Sequence, residues 1–370
     1  MKGFVFVFAI IHGLIHLLGF VKGFEIREVK ELTLPISKPM GIIWLSSAVL
    51  FLLYAILYKA NSHYAWLSGL IAVVVSQFLV ILFWQDAKAG TLPNILILAV
   101  SIFLYGSYSF QRLVQHETEV ILSQNSAPSA KIITEENLEP LPAPVQQWLR
   151  NAGIIGRPAV SAGKVLQSAE MKLKPEQEKW MTATALQYTT IGQPAFIWSV
   201  DVKMNRFLHF RGRDKFENGK GEMKIKLNSL INVVNERGEK LDEGTIQRYL
   251  GEMVWFPWLA LSEHIRWEQV DDNTAKATMT YQGTTGTGTF CFNDQGEVTK
   301  FSALRYNGNE AGAKRHEWIM QIDGYNTFEG IRVPVSMAAT WKLDQGDWTW
   351  LTLKVTEISY SADNAFKVHN

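Results

Sequence analysis

The stretch Ala195–Met204, AFIWSVDVKM, decides the fold class of the larger part of the chain. Phe196, Trp198, Val200, Val202 and Met204 fall on one side, and Ser199, Asp201 and Lys203 on the other. A period of two belongs to a half-buried strand, not to a helix. The same alternation returns in MKIKLN, with Met223, Ile225 and Leu227, and in TWLTLKVTEI, with Leu351, Leu353 and Val355. Turn residues stand between the runs: Glu217-Asn218-Gly219, Asn235 to Gly238, Asn293 to Gly296, Asp323-Gly324 and Gln345-Gly346-Asp347. Alternation bounded by turns predicts an antiparallel sheet with one buried face from Gly163 onward. About ten such strands exceed what a flat sheet carries, so the expected form is a curled sheet, a half-barrel or a sandwich.

Two segments interrupt this pattern. In LPAPVQQWLRNAG, Pro144 opens a short helix and Gly153 closes it, and Val145, Trp148, Leu149 and Ala152 give it a face to bury on the sheet. In LDEGTIQRYLGEMVWFPWL, Asp242 is placed to cap a helix that Pro257 ends. Ile246, Tyr249, Leu250 and Met253 form one stripe of it, and Arg248, Gly251, Glu252 and Trp255 another. Gly251 costs such a helix about 1 kcal/mol relative to alanine, which implies a close approach there. One reading makes this helix a lid over the mouth of the curled sheet, lining a cavity. The other makes it a core helix whose Arg248–Glu252 pair is exposed and worth at most ~0.5 kcal/mol.

Before Leu113 the charges are sparse and the apolar runs long. Phe4–Phe20, Met40–Tyr58, Tyr64–Trp84 and Leu92–Phe110 each come near the roughly 20 apolar residues that cross a bilayer as a helix. The first has only Lys2 ahead of it and no small-residue cleavage site, and so reads as a retained helix. The expected organisation is a four-helix transmembrane domain over 1–113, a linker over 114–140 that includes SQNSAPSAK (Ser123 to Lys131), and a β-rich domain over 141–370. Lys22, Arg27, Lys30, Lys38 and Lys88 fall in the first and third connections, against Lys2, Lys59 and Arg112 at the other face. That bias predicts an inner-membrane protein whose C-terminal domain is extracytoplasmic, with the lipid bilayer as its first partner.

His12 and His16 lie four apart and share one face of the first span. Ionisable residues inside a membrane are candidates for haem, metal or proton traffic, and the alternative is hydrogen bonding to neighbouring helices. Near the third connection, Trp84 reads as an aromatic anchor and Asp86 and Lys88 as interfacial.

Other classes are disfavoured. A net charge of +1 supplies no basic footprint for nucleic acid. A single cysteine, Cys291, excludes an intrachain disulfide and a cysteine-cluster metal site. GTTGTGTF, Gly283–Phe290, has no helix after it and reads as a hairpin, not a phosphate loop. His209, His264 and His316 have no metal spacing, Asp271-Asp272-Asn273 is turn chemistry, and no serine sits in a G-x-S-x-G elbow. No cofactor is expected.

LPAPVQQWLRNAG, LDEGTIQRYLGEMVWFPWLAL, IRWEQVDDNTAKATM, FNDQGEVTKFSALRY and YNTFEGIRVPVSMAATWKL together resemble an uncharacterised bacterial domain-of-unknown-function family, over roughly residues 130 to 360. Its members often carry a helical anchor of this kind, and the resemblance implies no catalytic residue. More loosely, IDGYNTFEGIRVPVSMAATWKL is similar to periplasmic lipoprotein-carrier and lipoprotein-sorting proteins, which are half-barrels with an acyl-chain cavity under helices. This likeness is one of fold, and fold does not establish function.

The function expected is binding of a lipid, an acyl chain, an acylated protein or another apolar ligand. Trp198, Trp255, Phe256 and Trp341 are its candidate lining, Arg248 and Arg305 its candidate head-group contacts, and Glu252 a further candidate beside them. The alternatives are a membrane hydrolase or transferase, with Glu252 or Asp271 as acid or base, and an assembly protein without a ligand.

Overall fold

The computed structural model describes residues 2–124, 131–205 and 208–360. The chain divides into two compact units, Met1–Arg112 and Leu113–Asn370. Most of the stretch read as a linker, Ser123 to Lys131, lies outside the described residues.

In the first unit, α1 (Lys2–Gly23), α2 (Lys38–Lys59), α3 (Ala65–Leu82) and the start of α4 (Thr91–Ser123) are long and apolar enough to cross a membrane. Their outward side chains, such as Ile11, Ile42, Val74 and Ile95, are exposed and apolar, as lipid-facing positions are. Small residues bring the helices together, Gly13 against Phe51 and Gly19 against the ring of Trp44. Several buried polar atoms are paired across helices. His12 Nε2 hydrogen-bonds with Asn94 Oδ1 at 3.0 Å, His16 Nε2 with Ser76 Oγ at 2.8 Å, and Asn94 Nδ2 donates to Gln77 Oε1 at 3.0 Å. These contacts are the interhelical hydrogen bonds that one reading of the two histidines expects.

The second unit is built on one sheet of thirteen strands: β1 (Ala162–Met171), β2 (Met181–Thr190), β3 (Ala195–Lys203), β4 (His209–Glu217), β5 (Lys220–Leu227), β6 (Ile231–Glu236), β7 (Ile265–Asp271), β8 (Thr274–Tyr281), β9 (Thr284–Phe292), β10 (Val298–Tyr306), β11 (Arg315–Phe328), β12 (Ile331–Leu343) and β13 (Gly346–Ser359). The order runs β6 to β1, then β13 back to β7, antiparallel throughout. Two meanders are therefore joined where the last strand pairs with the first. Helix α5 (Ala143–Ala152) ends on Gly153 in the left-handed region, φ 80°, and buries Trp148 against Phe290 and Phe292.

Helix α6 (Glu239–Gly251) enters between the meanders and packs on β4 and β5 from one flank and β8, β9 and β10 from the other. The flanks meet, because Thr284 Oγ1 donates to the carbonyl of Gly219 at 2.7 Å. A sheet whose flanks share one helix and touch at their turns is a curled half-barrel. The helix lies close because two facing strand positions lack side chains. A Cβ on Gly221 would stand 2.4 Å from Thr245 Oγ1, and one on Gly286 2.7 Å from Ile246 Cγ2.

Four local expectations change. Gly238, not Asp242, holds the cap position of α6, and Asp242 instead accepts the backbone N–H of Gly221 at 2.7 Å, tying the helix to β5. Asp323-Gly324 is no turn. It is an irregularity inside β11, and the chain reverses at Glu329-Gly330, φ 48° and 81°. The α4 helix runs past Phe110 to Ser123. As a result, the outer face of β1–β3 is also covered, with Ala162, Tyr188, Ala195 and Ile197 packed against Ile121 and Leu122. Arg213 on β4, only 1 % exposed, meets Glu117 of that helix at 2.9 Å and Glu222 at 3.2 Å.

Gly286→Val forces the strand into α6. Overpacking of this kind costs about 1–3 kcal/mol, so the full chain should melt at a lower temperature with its helix content retained. An unchanged melt would mean that the close approach is not needed.

Candidate functional site

One end of the half-barrel is plugged. After Gly251 the chain tightens into two short 3-10 turns, Glu252–Trp255 and Pro257–Leu261. Tyr249, Leu250, Met253, Val254, Trp255 and Phe256 are then all at 0–1 % exposure. Tyr249 donates to the carbonyl of Thr190 at 2.6 Å, Trp255 Nε1 to that of Pro334 at 3.2 Å, and Tyr360 to that of Trp255 at 3.0 Å. The helical spacing that set Trp255 apart from Tyr249 and Met253 stops at Gly251, and the tighter turn swings the indole inward. Trp255 and Phe256 therefore belong to the closed core.

The inner face changes along the barrel. Phe196, Phe216, Phe290 and Val333 have no exposed surface. Farther along the same face, Ala169, Met171, Met181, Ala183, Val200 and Leu351 keep 7–9 %, and Phe210, Trp341 and Leu353 are only partly buried. Alanines stand side by side here, Ala169 opposite Ala183, which keeps this part of the concave face low. It is an apolar trough whose lining is less completely covered than the closed end.

A polar cluster lies on the same face against α6. Arg248 Nη1 donates to Asp214 Oδ2 and its Nε to Glu252 Oε1, each at 2.7 Å. Gln187 Nε2 donates to Glu252 Oε2 at 2.8 Å. The guanidinium lies over the rings of Phe196 and Trp198, 4.9 and 4.7 Å from their centroids. Trp198 Nε1 in turn donates to Gln167 Oε1 at 3.1 Å. Burial raises the pKa of Asp214 against the pull of Arg248 and Arg213. Both oxygens of Glu252 are engaged, so the cluster is a closed ion set that holds α6 in place. Asp271 sits apart on an exposed turn, where Oδ1 accepts the N–H of Asn273.

Arg305 on β10 stands differently. Its guanidinium packs over Trp318 at 4.6 Å and Trp341 at 5.7 Å, yet it forms no ion pair among the described residues. Burial and the neighbouring Arg248 push its pKa down to about 10, so it stays charged at neutral pH.

The structure thus brings Trp198, Arg248 and Glu252 into one contact network, places Arg305 with Trp341, and sets Trp255 and Phe256 in the plug. Sequence reasoning passed over Asp214, Gln187, Gln167 and Trp318. A signal existed for Asp214 and Gln187: Asp214 is in phase with Phe210 and Phe216, and Gln187 with Ala183 and Ala185.

Arg248→Met leaves two carboxylates uncompensated and should cost about 3–5 kcal/mol. Trp255→Ala should cost a similar amount as a core truncation. Thermal melts of the full chain followed by tryptophan fluorescence would show both, and a wild-type melt for Arg248→Met would contradict the closed-cluster description.

Comparison with curated proteins returned no match. Among solved structures, a LolA superfamily protein from Nitrosomonas europaea aligns at 11 % identity and a TM-score of 0.35, over 60 % of this chain and 97 % of that one. A beta-barrel-like protein of the domain of unknown function DUF1849 from Brucella abortus aligns at 10 % identity and a TM-score of 0.23, over 55 % and 99 %. The family of unknown function DUF6544 matches residues 131–353, which span the half-barrel up to β13, and the chain belongs to that family.

Proposed function

We propose that this chain is a membrane-anchored binding protein whose half-barrel takes the apolar part of a lipid, an acyl chain or an acylated protein. The observation that carries this reading is the trough. The inner face is fully buried by α6 and the 3-10 turns at one end, and at the other it stays apolar and less completely covered, with Phe210, Trp341 and Leu353 only partly buried. A monomeric fold gains by filling such a surface with its own side chains, since each buried CH₂ contributes about 0.8 kcal/mol. Paired alanines do the opposite and keep room open. The four apolar helices are long enough to hold the chain in a bilayer, the source of such ligands. The lysine and arginine asymmetry between the connections favours the inner membrane of a bacterial envelope, with the half-barrel on the outer side.

Lipid extraction and mass spectrometry of the purified full chain should find bound amphiphile. Ala183→Phe, which fills the trough, should remove that amphiphile without lowering the melting temperature. An empty wild type, or a filled variant that keeps its lipid, would sink the reading. For orientation, a C-terminal reporter active only outside the cytoplasm should give signal, and signal from a cytoplasmic reporter alone would reverse the placement.

A further inference from the structure

We infer that the trough's ligand is an anionic amphiphile, whose carboxylate or phosphate is received by Arg305 and the tryptophan row of β11–β13. The inference rests on the binding function just proposed and names the ligand's class. Trp318, Trp341 and Trp348 are in register on three adjacent strands, Trp318 opposite Trp341 and Trp341 opposite Trp348. The Arg305 guanidinium stacks on the first two. Arg305 Nε, Trp318 Nε1 and Trp348 Nε1 are buried donors with no acceptor. A buried donor left unmade is costly, more so for a charged group, so donors left unmade on this arginine and along the row beside it call for an acceptor.

Among the described residues no carboxylate pairs directly with Arg305. The helix position facing Arg305 is Gly244, where even a Cβ would come within 3.3 Å of Nη2. His316 is its cross-strand neighbour and brings no carboxylate. Arg248, by contrast, takes both direct ion pairs, with Asp214 and Glu252, whose charges reach Arg305 only through space. One guanidinium is thus neutralised from within and the other is left for an oxyanion from outside. The alanine and methionine trough along the same inner face suits a hydrocarbon tail.

The test uses the full chain in amphipol, with binding followed by tryptophan fluorescence. Oleate is compared with oleyl alcohol, and dioleoylphosphatidate with dioleoylglycerol. Each acid should bind at least tenfold more tightly than its neutral partner in one pair or both, and the pair that responds identifies the source of the oxyanion. Arg305→Met should erase that preference and leave the alcohol's affinity unchanged. Arg305→Lys guards against a folding defect and should retain a preference. Trp318→Phe, which removes only an N–H donor, should weaken oleate severalfold and spare the alcohol. Equal binding of acid and neutral ligand by the wild type overturns the inference and leaves the binding function standing. Acetate that competes as tightly as oleate overturns it in favour of a free-anion site. Binding of neither long-chain ligand overturns the binding function itself.

Discussion

The distance at which α6 lies on the concave face governs the rest of the larger unit. The helix touches strands from both flanks of the sheet, and it can do so only where Gly221 and Gly286 leave no side chain in between. From that seat Asp242 reaches the backbone of Gly221, Tyr249 reaches Thr190, and Arg248 reaches Asp214. These three bonds go to β5, the end of β2, and β4, so one helix sets the curvature of half the sheet. The plug follows from the same seat, because the 3-10 turns begin where α6 ends and drop Trp255 onto β12. A larger residue at either glycine would lift the helix and open the barrel at its closed end.

The strands were legible because a half-buried strand writes its geometry as alternation. Ala195–Lys203 and Lys220–Leu227 carry it plainly, and the turns at Asn218-Gly219 and Gly346 lie where the residue types put them. Strand β6 has no buried face to write, which explains how the count fell short of thirteen. The covered outer face was illegible for another reason. Ile197 reads as a stray apolar residue until one knows that α4 continues to Ile121 and Leu122. Asp323-Gly324 misled because a bulge and a turn ask for the same residues.

The candidate site was legible in part. Arg248 with Glu252 could be paired by helical spacing, but the partner that completes the set, Asp214, sits thirty-four positions away on β4. Only its phase gave it away, as an acid in line with phenylalanines that must be buried. Helical spacing does not fix the direction of Trp255, because the backbone leaves the α-helix at Gly251. Arg305 was visible only as a cation on a strand. That it lacks a carboxylate is a property of thirteen strands at once and appears in no local pattern.

The two arginines of the inner face differ in how their charge is met. Holding a charge out of water is costly unless a partner repays it, and a pair repays the cost only when geometry and hydrogen bonds are good. Arg248 meets that condition inside the protein with two 2.7 Å contacts, and the result is a fixed helix. Arg305 keeps the cost of burial without a direct ion pair among the described residues, offset by indole faces, through cation–π contacts worth about 0.5–2 kcal/mol, and by the through-space charges of Glu252 and Asp214. The fold tolerates that imbalance because the closed end supplies a large, fully buried core in which Phe196, Phe216, Phe290 and Phe301 have no exposed surface. Stability gathered at one end thus sustains an unpaired cation toward the other. In the anion binding proposed for Arg305, the same unmade hydrogen bonds that weaken the empty protein are the source of affinity.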